Sequence, residues 1–225
     1  MDDKESKKKR LYKIIKIIFG LFIFAIGVVM TINANLGLSP WDVFHEGLSK
    51  TVAITMGMAI IFSGFVVVLI DIAFGQNIGW ATLTDMVLTG TFVDILMLNN
   101  IIPTFIDVVP RFIMLLLGLL IEGIGVWIYL SVGLGAGPKD GLMVALTKKT
   151  GKSVRVVKSS IEVIAVTTGY LLGGSIGIGT LIMALMSGQI WQIAFNIVKF
   201  DINKIDHRFI MDDIALIKKK NSSNK

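Results

Sequence analysis

The sequence predicts an all-α, polytopic membrane protein: six transmembrane helices in two inverted three-helix repeats, each with a short half-membrane or interfacial helix after its first span. Three observations predict it. Charged residues make up 17% of the 225 positions, against about 25% in soluble domains, and the deficit lies in long apolar runs of membrane-spanning length. The stretch Leu36-Gly37-Leu38-Ser39-Pro40-Trp41-Asp42 returns as Leu134-Gly135-Ala136-Gly137-Pro138-Lys139-Asp140, 98 positions later. Finally, twenty of the 22 Lys and Arg residues fall in three segments: up to Lys16, between Lys139 and Lys158, and from Lys199 onward.

The repeat extends beyond the motif without a gap. Gly20, Gly27, Gly75, Gly79, Thr82 and Gly90 fall on Gly118, Gly125, Gly173, Gly177, Thr180 and Gly188. Leu and Ile match by chance in apolar segments, but an ungapped register carrying Gly, Pro and Asp does not. The chain therefore divides into a basic N-terminus (1–13), a first three-helix repeat (14–100), a second repeat (101–200) and a charged tail (201–225), with disorder expected beyond Lys218. Spans are expected at about 11–32, 54–74, 78–98, 111–131, 153–173 and 176–198. The first run has the layout of a signal peptide, but it is the repeat partner of 109–131 in mid-chain, so it is read as a retained helix. Three spans per repeat is an odd number, which inverts the second copy in the membrane. The positive-inside rule then places both termini and the second motif in the cytoplasm and the first motif outside.

Each motif reads as a tight turn opening a helix. Ser39 or Gly137 suits the N-cap, Pro40 or Pro138 the first helical position, and Gly37 or Gly135 the turn before it. Asp42 and Asp140 then stand at the third position, where a carboxylate can reach back to the cap's backbone N–H. A helix of about 10–12 residues covers about 15–18 Å, half a bilayer. Two such half-helices entering from opposite sides would aim their N-termini at a shared centre, as in inverted-repeat transporters. The plainer alternative is a pair of interfacial helices with Trp41 in the headgroup belt.

The acids inside the spans are the second functional signal. Glu122 lies mid-span and Asp85 inside the polar third span, which also carries Thr82, Thr89 and Asp94. An ionised acid at mid-bilayer costs about 2.5–3.5 kcal/mol even on the lenient scale, so these side chains are expected to face the protein interior. Glu122 has no Lys or Arg within a helical turn, and Arg111 is eleven residues away. Glu122 with Asp85 is thus the candidate proton-coupling pair. Thr82, Thr180, Gln189 and Gln192 are more economically read as hydrogen-bonding glue between helices, and Glu162 as the partner of Lys158 four residues before it. The candidate solute-binding residues are Pro40, Trp41, Asp42, Pro138, Asp140 and Asp85.

The chain has no cysteine, which excludes disulfides, thiolate catalysis and Cys-ligated metals. His45 and His207 have no ligand spacing, and no metal or other cofactor is expected. No nucleophile constellation or phosphate loop is present, so an enzyme is not expected. The formal charge of +6 follows membrane topology rather than a basic face interleaved with aromatics, which argues against nucleic acid. The partners expected are the lipid bilayer and a small solute, with a homodimer or a partner membrane protein also open. The leading function is a small transporter or permease, proton-coupled through Glu122. The alternatives are an accessory or regulatory membrane protein and a channel.

The L-G-x-x-P-W-D element and the run I-G-x-G-T-L-x-x-A-L-x-x-G at 176–188 resemble the YczE/YyaS/YitT-like family of bacterial inner-membrane proteins. The likeness covers about 15–200. It implies a multi-pass protein of the bacterial plasma membrane rather than any particular activity. The second motif departs from the family pattern in having Lys139 where that pattern often has Trp.

The basic-residue partition makes a direct prediction. A cysteine at Lys148 should be labelled by an impermeant thiol reagent only from the cytoplasm, and one at Lys50 only from outside. Labelling of both from one face would remove the inverted arrangement.

Overall fold

The computed structural model describes residues 3–201 and 205–215. The expected disorder beyond Lys218 lies outside the described residues. The described chain forms α1 (Asp3–Asn33), α2 (Pro40–Val52), α3 (Met56–Ala73), α4 (Trp80–Leu98), α5 (Val108–Leu130), α6 (Pro138–Thr150), α7 (Val154–Leu171) and α8 (Ile178–Ile197), with no strand among the described residues. Among the described residues, five helices are long and apolar enough to cross a membrane: α1 from Arg10, α3, α4, α5 and α8. The remaining expected span, α7, forms an 18-residue helix but carries Arg155, Lys158 and Glu162, so it is less apolar than the other five. Phe62, Phe65 and Leu69 of α3 and Leu181 and Leu185 of α8 are exposed, the pattern of a chain whose surroundings are apolar.

α1 and α5 form the central pair. A Cβ on Gly20 would meet Tyr129, one on Gly27 would meet Glu122 and Gly118, and one on Gly125 would meet Phe24. Rising numbers on α1 meet falling numbers on α5, so the two run antiparallel. Small residues let the backbones approach this closely, as membrane helix pairs require. Leu21, Val29, Leu115 and Leu119 are fully or nearly fully buried along this pair. α4 packs on α1 and α8 on α5, while α2 pairs with α7 and α3 with α6. Each half-length helix thus packs on a long helix of the other half of the chain.

The 98-residue offset survives in the backbone. Positive φ recurs at Asn35 and Gly133, Gly37 and Gly135, Ala53 and Gly151, and Gly75 and Gly173. Gly37 and Gly135 have φ of 108° and 107°, a conformation that favours glycine. From these turns, Leu36 O accepts from Gly179 N at 2.7 Å and Leu134 O accepts from Ala81 N at 2.9 Å. The loop before α2 therefore ties down the start of α8, and the loop before α6 ties down the start of α4. A Cβ on Gly37 would stand 2.6 Å from Gly177 Cα, and one on Gly135 would stand 2.8 Å from Gly79 Cα. At these crossings glycine is required both for its φ and for the space it leaves.

Other ends are closed by polar side chains. Thr55 caps α3 by accepting from Met58 N at 3.1 Å. Asp94, from α4, reaches the same terminus, accepting from Thr55 Oγ1 at 2.5 Å and Gly57 N at 2.7 Å. A carboxylate at a helix N-terminus neutralises the orphan donors and the helix dipole. Arg111 Nε donates to Ala34 O at 2.7 Å, closing the end of α1. The tail returns to the body: Arg208 N donates to Gly133 O and Ile210 N to Ile78 O, and His207 Nδ1 accepts from Gly135 N at 3.3 Å. His207 is half-buried, and burial holds its pKa below the usual value.

Gly37→Ala and Gly135→Ala should each destabilise the protein by more than the 1–2 kcal/mol cost of a left-handed alanine, because the new methyl also meets backbone. Gly75→Ala, at positive φ with nothing within 4 Å, should show only the conformational cost. Thermal unfolding in detergent would compare the three, and equal losses would contradict the close-crossing account.

Candidate functional site

α2 and α6 each contain 13 residues, about 20 Å, too short to cross a hydrocarbon core of about 30 Å. Both begin on proline after an extended cap residue, Ser39 or Gly137. Proline at the first helical position lacks only an N–H that would have no helical partner. Their N-terminal ends meet, with Pro40 and Pro138 buried and Lys139 and Asp140 exposed. Lys139 Nζ lies 5.0 Å from the centre of the Trp41 ring, so the repeat-equivalent positions 41 and 139 touch each other.

Around this meeting point is a cavity of about 300 Å³. Pro40, Trp41, Asp42, Asp85, Glu122, Pro138 and Asp140 all line it. The sequence motifs and the intramembrane acids, read separately along the chain, therefore converge on one space.

At the α2 end, Ser39 Oγ accepts from Asp42 N at 3.3 Å and donates to Asp42 Oδ2 at 2.5 Å. Asp42 Oδ1 accepts from His45 Nδ1 at 3.1 Å. Asp42 thus departs from the expected reach back to the cap's backbone N–H: its two oxygens bond the cap's hydroxyl and the imidazole one turn on. His45 is fully buried, and its other ring nitrogen, Nε2, is buried without a partner. At the α6 end, Gly137 brings no side-chain cap. Asp85 stands there instead. Its Oδ1 accepts from Thr89 Oγ1 at 2.6 Å, and its Oδ2 is so near that a Cβ on Gly137 would lie 2.7 Å away. An acid from α4 thus lies against the positive end of α6. Asp140, in the first turn of α6, is exposed and lines the cavity.

Glu122 closes the cavity from α5. It is 7% exposed and accepts a long hydrogen bond, 3.4 Å, from Thr31 Oγ1 on α1. Thr31 also donates to Val28 O at 2.8 Å, so Glu122 receives a shared proton. Trp191 Nε1 faces Glu122 without completing a hydrogen bond. Lys158 and Glu162 form the expected i,i+4 ion pair at 3.7 Å, and both line the cavity.

The residues read as glue divide as the chemistry suggests. Thr82 Oγ1 accepts from Gly79 N at 3.3 Å and donates to Ala136 O at 2.6 Å. It therefore caps its own helix and ties α4 to the loop before α6. Thr180 accepts from Gly177 N at 3.1 Å, and Gln192 bonds Asn196 on the outer face of α8.

Sequence reasoning misses three groups. His45 has no ligand spacing, although its position three residues after Asp42 on a proline-started helix is a signal that the pair bonds. Lys139 stands out in the sequence only as a departure from a pattern. Asp71, which marks the end of an apolar run, is fully buried with both carboxylate oxygens unpartnered, against Gly141 of α6. Nothing in the linear spacing places it there. Among the described residues, no group of three His, Asp or Glu side chains is arranged to hold a metal ion.

Residues 11–196 match a family of unknown function, DUF6198. The chain is similar to the uncharacterized membrane protein YczE of Bacillus subtilis, with 38% identity over 179 residues that cover 78% of this chain and 81% of that one. It is also similar to an uncharacterized protein of Haemophilus influenzae, at 34% over 83% of this chain and 85% of that one, and to the uncharacterized protein YyaS of Bacillus subtilis, at 25% over 80% and 90%. No solved structure has significant similarity to it.

The hydrogen bonds predict unequal roles for the repeated aspartates. Asp42→Asn removes the charge that accepts from both Ser39 and His45 and should cost about 1–3 kcal/mol. Asp140→Asn, which breaks no side-chain hydrogen bond, should stay within about 0.5 kcal/mol. Equal destabilisation of the two would count against this assignment.

Proposed function

The chain belongs to the DUF6198 family, and from its own cavity we propose that it is a small membrane transporter or permease for a small solute, coupled to protons through Glu122. One observation carries the reading: two half-length helices start at the same cavity, and unrelated long helices direct acids into it. Broken helices whose ends meet near the membrane midplane build solute sites in inverted-repeat transporters. Backbone starting inside a membrane is tolerated where it lines a cavity rather than lipid. A volume of about 300 Å³ sits at the small end of ligand sites, which favours a compact solute.

In this reading α7 is the sixth span and the two halves are inverted repeats in the bacterial plasma membrane, with both termini cytoplasmic. The exchanged contacts support it: α2 packs on α7 and α6 on α3, and each pre-helix loop bonds the helix start of the other half. Alternating access follows as one half rocks against the other around the cavity. Glu122 supplies the coupling. It has one shared hydrogen bond and borders the site, so its proton can be exchanged when the cavity opens, with Asp85 as the second member of the relay. No enzymatic step, cofactor or nucleic acid enters this reading. A channel and an accessory protein acting with a membrane partner are the competing functions.

Flux decides among them. Purified protein in vesicles should take up a labelled solute saturably, with a rate that depends on a pH gradient. Glu122→Gln keeps hydrogen-bonding capacity and cannot release a proton, so it should insert normally and lose that dependence. Unchanged pH dependence in the variant would make Glu122 an interhelical hydrogen-bonding group and remove the coupling.

A further inference from the structure

We propose that the cavity between α2 and α6 is a site for a small organic ammonium ion bearing at least one N–H, and that Lys139 is its tethered stand-in, the cation that such a ligand displaces from Trp41. This names the solute class for the transport reading above and rests on it for its role; binding itself is testable without transport.

The first support is charge. Asp42, Asp85, Glu122 and Asp140 line the cavity. Lys158 is engaged by Glu162, which leaves Lys139 as the cation facing four carboxyl groups. The α2 start carries the Ser39 cap and Asp42 in its first turn, and Asp85 stands against the α6 start, so the helix termini do not call for an acidic ligand.

The second support is unused acceptor capacity. Glu122 receives one long, shared hydrogen bond. Asp85 Oδ1 is bonded by Thr89, while its Oδ2 stands against a glycine. The sharpest case is His45. Its Nδ1 lies 3.1 Å from Asp42 Oδ1, and a carboxylate oxygen only accepts, so in the neutral ring Nδ1 carries the proton. Nε2 is then a lone-pair acceptor, and it is buried with no partner. A buried unsatisfied polar atom is costly and points to a missing donor. An ammonium N–H supplies that donor; a carboxylate cannot, and neither can a quaternary ammonium.

The third support is the aromatic face. Ammonium ions bind over tryptophan rings within about 6 Å, and Lys139 Nζ is at 5.0 Å. A lysine on a flexible four-carbon stem can withdraw, which frees the ring for a ligand of the same chemistry. Its loss also parts the N-termini of α2 and α6, so the ligand and the latch between the two half-helices compete for one ring.

Calorimetric titration of the purified full chain in detergent tests this with n-butylammonium, tetramethylammonium and butyrate as probes. Butylammonium should bind saturably, tetramethylammonium more weakly, and butyrate not at all. Lys139→Met and Lys139→Gln remove the internal competitor and should each tighten butylammonium binding about tenfold. His45→Gln moves the acceptor and should weaken it. Preferred binding of butyrate, unchanged or weaker butylammonium binding in both Lys139 variants, or no saturable binding by wild type and variants alike would overturn the proposal. Amine binding without vesicle flux would leave this site standing and remove the transport reading. Flux of another solute without amine binding would do the reverse.

Discussion

At Gly37 and Gly135 the backbone of one half of the chain crosses that of the other in direct contact, and both long and short helices take their starting points from these crossings. At each, an unusual backbone turn brings a carbonyl, Leu36 O or Leu134 O, onto the first turn of a long helix from the other half of the chain. The first turns of α4 and α8 have N–H groups with no partner in their own helix, and in an apolar setting an unsatisfied N–H costs several kcal/mol. The loop carbonyls meet that need, with Thr82 and Thr180 taking the Gly79 and Gly177 donors. The same turns set where α2 and α6 begin. Satisfying the backbone of the long helices and aiming the short ones at the cavity are one geometric solution.

Electrostatics inside the cavity follows from that placement. Helix N-termini carry partial positive charge, and in this protein acids converge on them: Asp42 at α2, Asp85 at α6 and Asp94 at α3. Asp42 and Asp94 have both carboxylate oxygens hydrogen-bonded, while Asp85 has one, bonded by Thr89. Glu122 and Asp140 are held less fully, and His45 Nε2 is not held at all. Groups that are fully bonded keep the fold, and groups with spare capacity in a cavity are the ones left to act on a ligand. The pairing of Trp41 with Lys139 sharpens the distinction. Positions 41 and 139, 98 residues apart in the same motif, carry different side chains, so the site is chemically one-sided.

Much of the architecture is legible in the linear sequence. The recurrence of Gly, Pro and Asp at a fixed offset requires equivalent turns, because glycine at positive φ and proline at the first helical position have steric reasons that no surrounding alters. The matched φ values at Gly37 and Gly135 are that reason made visible. The intramembrane acids are legible for a similar reason: the cost of exposing them to lipid turns them inward. α7 is the weakest signal, because Arg155, Lys158 and Glu162 dilute its apolar character.

The proline starts of α2 and α6, their half-length and the inward direction of Glu122 and Asp85 can be read along the chain, since they follow from local sterics and from the cost of burying charge. The packed molecule alone shows that these features share one cavity, that Asp85 of α4 stands at the cap of α6, that Lys139 lies on Trp41, and that Asp71 is buried against Gly141. Those are contacts between residues tens of positions apart. They depend on which helix packs on which, and chain periodicity carries no information about the choice among apolar faces that all bury equally well.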